Sequence, residues 1–420
     1  MRAFEAIAVA SSTLCLVVVR PRGLNEGISA LLGAALVVLL GLVSIGDAAH
    51  TEASSWNVFL FFLGMMAIAA LADQSGVFDL LALSAARLAG GRVVRLYAAI
   101  FIAGAVISLL FANDSAALVL TPVVYALVIR LSLDPLPFVF AITFIADTAS
   151  VGLPVSNPLN VVVADAFHLT LGAYVSRLWL PALIVVVLNA AVFFVLFRRS
   201  LHGEFQQLPT PDRRRGLGSS VVLLLSVATA YLIASAFAFP LGIVALAGAL
   251  ALAANLHRLG ALDVKRLQAD VSWAIFGFLG GMLLIVRGLD ATGVTARVGS
   301  TLVDAAGTSH LQVIAVTLAG TALGSNLINN LPAALVMTAA IPHLQVAAST
   351  RLDMVYSTIL GADLGPNLTH LGSLATFLWL FFLRRKGLDV STWDYFRIGI
   401  VVTPVMLAGA AFGLWMTGGR

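Results

Sequence analysis

Apolar positions in this chain come in long blocks, not in alternation. "ISALLGAALVVLLGLVSI" (28–45) and "LPALIVVVLNAAVFFVLF" (180–197) are almost wholly apolar. Each is near the ~20 residues that a helix needs to cross ~30 Å of hydrocarbon. Comparable blocks recur from end to end, which predicts an all-α polytopic membrane protein. Composition agrees: 60% of the 420 residues are hydrophobic and 10% charged, whereas roughly a quarter of a soluble globular chain is charged. The most polar stretch, "RRSLHGEFQQLPTPDRRRG" (198–216), has the Pro-Thr-Pro and paired arginines of a loop. Residues 1–19 read as a first span, since no small-residue cleavage site follows them.

Two stretches of the chain resemble one another. "WNVFLFFLGMM" (56–66) matches "WAIFGFLGGML" (273–283) at an offset of 217, and Asp73, Gly76 and Val77 match Asp290, Gly293 and Val294 at the same offset. "NDSAALVLT" (113–121) matches "NLPAALVMT" (330–338), and after one lost residue Asp147 matches Asp363. The predicted organisation is therefore N-terminal spans (1–55), a first repeat (56–197), a basic loop with connecting spans (198–272) and a second repeat (273–416). Within the first repeat we expect a re-entrant hairpin over about 95–130 and a broken helix over about 136–166. Within the second we expect a hairpin over about 311–345 and a broken helix over about 354–383.

Charge supplies an orientation. With about ten full spans and two short-armed hairpins, 18 of the 24 Lys and Arg residues fall on one side, which should be cytoplasmic. Both termini then face away from the cytoplasm. The hairpins enter from opposite sides, as an inverted repeat requires. The sequence pI near 9.6 reflects these basic loops and does not call for a nucleic-acid partner. Inverted repeats with broken helices are characteristic of secondary transporters that bind at the midplane. Non-helical backbone at that depth is tolerated only where protein or a water-filled cavity surrounds it.

Four polar breaks hold the candidate chemistry. The first tip is "FANDSAAL" (111–118), with Asn113, Asp114 and Ser115; its mate is "GSNLINNLPAAL" (324–335), with Asn326 and Asn330. The first broken span, "IADTASVGLPVSNPLN" (145–160), carries Asp147, Thr148, Ser150, Ser156, Asn157 and Asn160. Its mate, "GADLGPNLTHLGSLATFLWL" (361–380), carries Asp363, Thr369 and Ser373, with Gly365, Pro366 and Gly372 as helix breakers. Asn, Asp and Ser before an apolar run are also ordinary N-caps. The carboxylates differ, because an ionised acid at the bilayer centre costs about 2.5–3.5 kcal/mol on insertion scales. Asp114, Asp147 and Asp363 are accordingly the candidates for proton coupling. Asp73, Asp79 and Asp290 lie in amphipathic segments and should be solvated. The run 78–95 should be an interfacial helix. Cys15 is the only cysteine, which excludes an internal disulfide and a cysteine-ligated metal centre.

The breaks in this order, together with "WDYFRIGIV" (393–401), resemble the arsenical pump membrane protein family, the arsenite and antimonite efflux permeases of the ion transporter superfamily. The likeness covers almost the whole chain. It implies export of As(III) and Sb(III), driven by proton exchange or by a soluble arsenite-stimulated ATPase. Carried onto this sequence, it marks Asn113, Asp114, Asp147, Thr148, Ser150, Ser156, Asn157 and Asn160 in the first half. In the second half it marks Asn326, Asn330, Asp363, Gly365, Pro366, Thr369, Gly372 and Ser373. Pro158, Asn367 and His370 depart from the family pattern. No cofactor is implied. Arsenous acid is a small uncharged trihydroxy species at neutral pH, and Asn, Ser and Thr can both donate to and accept from its hydroxyls. A thiol cage would hold As(III) too tightly for turnover.

Other readings stay open. A sodium-coupled anion carrier or sodium/proton antiporter of the same superfamily would share the architecture, although an anion carrier should place Arg or Lys near the tips and none is there. An intramembrane enzyme lacks any H-E-x-x-H or G-x-S-x-G motif here. A channel is separable because it cannot build a gradient. The chain has no G-x-x-x-x-G-K-[ST], so an ATP-driven pump would need a second polypeptide, with the loop 198–216 as its dock.

Overall fold

The computed structural model describes residues 1–111, 113, 116–205, 216–237, 239–307, 309–388 and 390–418. Before the first repeated stretch come α1 (Arg2–Val19), α2 (Glu26–Leu39) and α3 (Ile45–Ser54). The stretch itself contains α4 (Trp56–Ser75), α5 (Val77–Leu88), α6 (Val93–Phe111), α7 (Thr121–Arg130), α8 (Leu136–Ala149), α9 (Pro158–Ala166) and α10 (Leu171–Phe197). The connection holds α11 (Leu217–Ala236), α12 (Leu241–Arg258) and α13 (Val264–Asp270). The second stretch then runs through α14 (Ala274–Ala291), α15 (Val294–Ala306), α16 (His310–Ile328), α17 (Asn330–Ala340), α18 (Ala348–Leu364), α19 (Leu374–Arg385) and α20 (Thr392–Gly418). Among the described residues no strand forms beyond one isolated bridge, Arg92 to Glu204.

Nine helical segments among the described residues are long and apolar enough to cross a membrane. They include α6 and α16, each of 19 residues, which are longer than the short hairpin arms expected over 95–110 and 311–325. The second expected span also differs. The apolar run 28–45 is cut at Leu39, because Gly41 turns at φ 65° and the Ser44 hydroxyl accepts from the Asp47 N–H at 3.0 Å to start α3. Nor are two of the acids expected in solvated segments left to water. Asp73 pairs with Arg266. Asp290 is held by Arg287 (3.2 Å), His343 (2.8 Å) and the Thr295 hydroxyl (2.6 Å). Over the run 78–95 the helix is α5, which buries Phe78, Ala82, Ala85 and Ala86.

Packing of small residues sets the helix pairs. A Cβ at Gly64 of α4 would overlap the backbone of Ala245 in α12, and a Cβ at Gly281 of α14 would overlap the backbone of Ala30 in α2. Gly64 and Gly281 are mates at the 217-residue offset, so each stretch docks its first helix on an outside helix through the same position. Both pairs run parallel. Asn57 accepts from the Gly242 N–H at 2.9 Å and Ile68 meets Gly248 in one; Gly27 meets Ala274 and Val37 meets Gly288 in the other. Close backbone approach through glycine is the usual route to helix association where lipid and side chains are equally apolar.

The last helices of the two stretches, α10 and α20, are antiparallel. Arg177 donates to the Thr417 carbonyl at 2.8 Å, Pro181 meets Gly413 and Leu188 meets Gly409. Helix α10 has 27 residues, about 40 Å, and its ends separate the starts of α6 and α16. The start of α6 is tied to the segment just past the end of α10, with Val93 N–H donating to Gly203 (3.2 Å) and Phe205 N–H to Gly91 (2.7 Å). The start of α16 lies at the other end, where His310 and Arg177 share Asp353. The two helices therefore enter the molecule from opposite ends.

Replacing Gly64 or Gly281 with Leu should cost about 1–3 kcal/mol or more from overpacking. The expected readout is a lower melting temperature or loss of the monodisperse peak in detergent. Gly218→Leu, at a position with nothing within 4 Å, should leave both measurements unchanged.

Candidate functional site

Both broken helices break for local reasons. In the first, Leu153 and Asn157 each precede a proline and are extended, at φ −138°, ψ 150° and φ −145°, ψ 134°, because the proline ring disfavours helical backbone in the residue before it. Two short 3₁₀ turns, Ser150–Gly152 and Pro154–Ser156, fill the gap. Pro158 then opens α9 at a position where its missing N–H costs nothing, and Asn157 accepts from the Leu159 N–H at 3.2 Å. In the second, α18 gives way to a 3₁₀ turn, Gly365–Asn367, and the chain resumes as α19 only after extended Ser373. Gly365 and Gly372 are required by close contact: a Cβ would lie 2.7 Å from Ala322 in the first case and 2.6 Å from Pro366 in the second.

The tips use asparagine. Asn113 lies at the end of α6, ahead of a π-helical turn, Ala116–Leu120, that leads into α7. Asn329 sits between α16 and α17 at φ 75°, ψ 156°, a region that few residues other than glycine occupy without strain. The Leu331 N–H at the start of α17 donates to Asn330 at 2.9 Å.

These four breaks meet. Asn113 of the first tip, Asn157 of the first broken helix, Asn329 and Asn330 of the second tip and Ser373 of the second broken helix line one cavity of about 420 Å³, part of it open. Phe62 of α4 and Phe278 of α14 form apolar walls. Behind the amides stand the two acids. Asn113 Nδ2 donates to Asp147 at 2.9 Å. Asn157 and Asn160 donate to the two oxygens of Asp363 at 2.5 and 2.9 Å. Both acids are almost fully buried, at 3% and 1% exposure. The Asp363 contacts join the two halves of the chain, while the Asn113–Asp147 contact stays within the first.

The other expected residues are brought near the cavity but spend hydrogen bonds on main-chain carbonyls in and beside the breaks. Ser150 donates to the Asp147 carbonyl (2.8 Å), Thr148 to Phe144 (2.7 Å) and Ser156 to Leu109 of α6 (2.6 Å). Asn326 donates to the Ala322 and Gly365 carbonyls (2.8 and 2.7 Å) and accepts from the N–H and hydroxyl of Thr369 (3.0 and 2.7 Å). Pro366 lies in the Gly365–Asn367 turn. Asp114 and Ser115 lie outside the described residues.

Sequence reading passed over Asn189. It is buried in the middle of α10, inside the apolar run 180–197, and donates to the Thr148 hydroxyl at 2.6 Å; Asn367 reaches the same oxygen at 3.4 Å. A single amide in an otherwise apolar span was the available signal. Beneath this amide layer, Phe144 packs on Phe193 (4.9 Å) and Tyr395 (5.0 Å), and Phe140 on Trp379 (5.2 Å). This aromatic floor lies beneath the break in α8.

Asp363→Leu should strand two buried amide donors at about 1–3 kcal/mol each, read as a lower melting temperature in detergent. Asp363→Asn keeps one of the two acceptors and should cost about half as much. Equal losses for the two variants would contradict the bonding described.

The arsenical pump membrane protein model matches residues 5–417. The arsenical pump membrane protein of Escherichia coli K12 is 34% identical over 409 residues, covering 95% of each chain. That of Yersinia enterocolitica is 34% identical over 421 residues, covering 96% of this chain and 97% of its own. An uncharacterised transporter of Mycobacterium tuberculosis is 28% identical, covering 98% of each. Among solved structures, the Alcanivorax borkumensis YdaH transporter, described as having an unusual topology, superposes with a TM-score of 0.64 at 16% identity, covering 100% of this chain and 99% of its own. With a family match across nearly its whole length and two bacterial relatives at a third identity, this chain belongs to the arsenical pump membrane protein family.

Proposed function

We propose that the chain exports As(III) and Sb(III) from the cytoplasm as neutral hydroxides, by alternating access coupled to inward movement of protons. The observation that carries this reading is the cavity where the four breaks meet. Its polar lining is amide and hydroxyl, from Asn113, Asn157, Asn329, Asn330 and Ser373, with no Arg, Lys or thiol among its described lining residues. Such a lining suits an uncharged trihydroxy solute, since each amide offers both a donor and an acceptor. It would not neutralise a carboxylate or phosphate. Cys15, the sole thiol, is exposed on α1.

Asp147 and Asp363 are the proposed proton carriers, held one amide away from the solute. A proton bound at either acid would convert its carboxylate from pure acceptor to donor. The hydrogen bonds from Asn113, or from Asn157 and Asn160, would then rearrange, linking protonation to the side chains that line the cavity. One proton entering per neutral molecule leaving supplies about 2.3 kcal/mol per 100 mV, enough for a gradient of roughly fifty-fold. The opposed directions of α6 and α16 and the antiparallel α10 and α20 support the inverted repeat that such a cycle uses. A soluble ATPase subunit remains a further source of drive; residues 206–215 of its suggested dock lie outside the described residues. The proposed location is the inner membrane, with the basic loops cytoplasmic.

The test is uptake of radioactive arsenite into everted membrane vesicles energised by respiration. Accumulation should be abolished by a protonophore and indifferent to sodium removal. Asp147→Asn and Asp363→Asn should each lower the rate at least tenfold. Sodium dependence would instead favour the sodium-coupled carrier, and equilibration without accumulation would favour a channel.

A further inference from the structure

The central cavity has unequal walls. A second cavity of about 530 Å³ lies between α1 and the second tip, with Val17, Arg20, His370 and Leu371 on its walls. It shares two lining residues with the central cavity, Asn329 and Ser373. On that side, then, the partition is a single layer of side chains, those of Asn329 and Ser373. A third cavity of about 800 Å³ contains Ser54, Asn57, Val161 and Asp165 and shares no lining residue with the central one. Between them stands α9, which presents Pro158 and Leu159 to the central cavity and Val161, Ala164 and Asp165 to the third. One wall is a pair of side chains and the other is the body of a helix.

The thin wall faces the basic side. Arg20 ends α1 and pairs with Glu26 at 3.0 Å. Helix α16 starts at the opposite end of the molecule, where His310 meets Asp353, and needs 19 residues, about 28 Å, to bring Leu327 and Ile328 to the cavity beside α1. The two sides of the partition are tied together. Asn330 N–H donates to the Gly372 carbonyl at 3.0 Å, linking the second tip to the second broken helix immediately beside Ser373. Asn329 holds a positive φ, a backbone state that persists only while its surroundings enforce it.

We propose that the cavity beside α1 is the entry vestibule on the basic, cytoplasmic side, and that Asn329 and Ser373 form the gate between it and the central site. The solute class rests on the function proposed above: a small neutral polyhydroxy molecule, met at the rim by the imidazole of His370. The gate itself rests on the geometry alone.

The test uses the full-length protein in the Cys15→Ser background, because Cys15 is exposed on α1. Leu371→Cys and, as a second vestibule reporter, Val17→Cys are treated with a membrane-impermeant maleimide in everted and right-side-out vesicles. Ser54→Cys reports on the third cavity. The vestibule reporters should react at least tenfold faster in everted vesicles and Ser54→Cys at least tenfold faster in right-side-out ones. Labelling Leu371→Cys should also reduce arsenite uptake at least tenfold. Equal or reversed reactivity of the vestibule reporters would overturn the assignment, as would undiminished uptake after complete labelling. If the labelling asymmetry holds while the unlabelled protein moves no arsenite, the substrate reading fails and the vestibule stands.

Discussion

A helix broken inside hydrocarbon leaves N–H and C=O groups that lipid cannot satisfy, and the organisation of this protein follows from that constraint. Every break must be covered by protein, and here the breaks cover one another. Ser156 of the first broken helix bonds the Leu109 carbonyl near the end of α6. Asn326 of α16 bonds the Gly365 carbonyl at the second break. Asn160 bonds the Ser150 carbonyl with the same amide that reaches Asp363. The polar residues are dense because they replace the missing helix hydrogen bonds, and the cavity lies where the replacements converge.

This explains why a polar inventory is a poor guide to ligand contact. Thr148, Ser150, Ser156, Asn326 and Thr369 are as polar as Asn113, Asn157, Asn330 and Ser373, yet only the second group lines the central cavity. The first group holds the backbone in a shape that lets the second face inward. Substituting the first group would disturb the broken-helix geometry, and substituting the second would change the lining of the cavity.

In the proposed cycle the acids connect this scaffold to the proton gradient. Asp363 accepts from two amides of the other half, so its protonation would loosen a joint between halves. Asp147 accepts from Asn113, an amide of its own half. The glycine contacts at Gly64 and Gly281 do the opposite work: they fix α4 to α12 and α14 to α2 as rigid pairs, between which the broken elements are held.

The class of protein, the four breaks and the family are legible in the order of residues alone. Apolar blocks of span length, prolines at 154, 158 and 366 and acids at 147 and 363 are local signals, readable because each acts within a few residues. Offsets and the distribution of charge supply the expectation of an inverted repeat with opposed hairpins. Which amide faces which acid follows from helix packing, because Asn157 and Asp363 lie 206 residues apart and side-chain identity carries no information about a partner that distant. The turn also set the length of α2, since one glycine at positive φ outweighs the four apolar side chains that follow Leu39 in that run. Finally, packing gave Asn189 its role: its neighbours in the chain are apolar, and its partners, the Thr148 hydroxyl and the Phe144 carbonyl, come from α8. An amide in hydrocarbon must find a donor or acceptor, but where it finds one depends on how the helices pack.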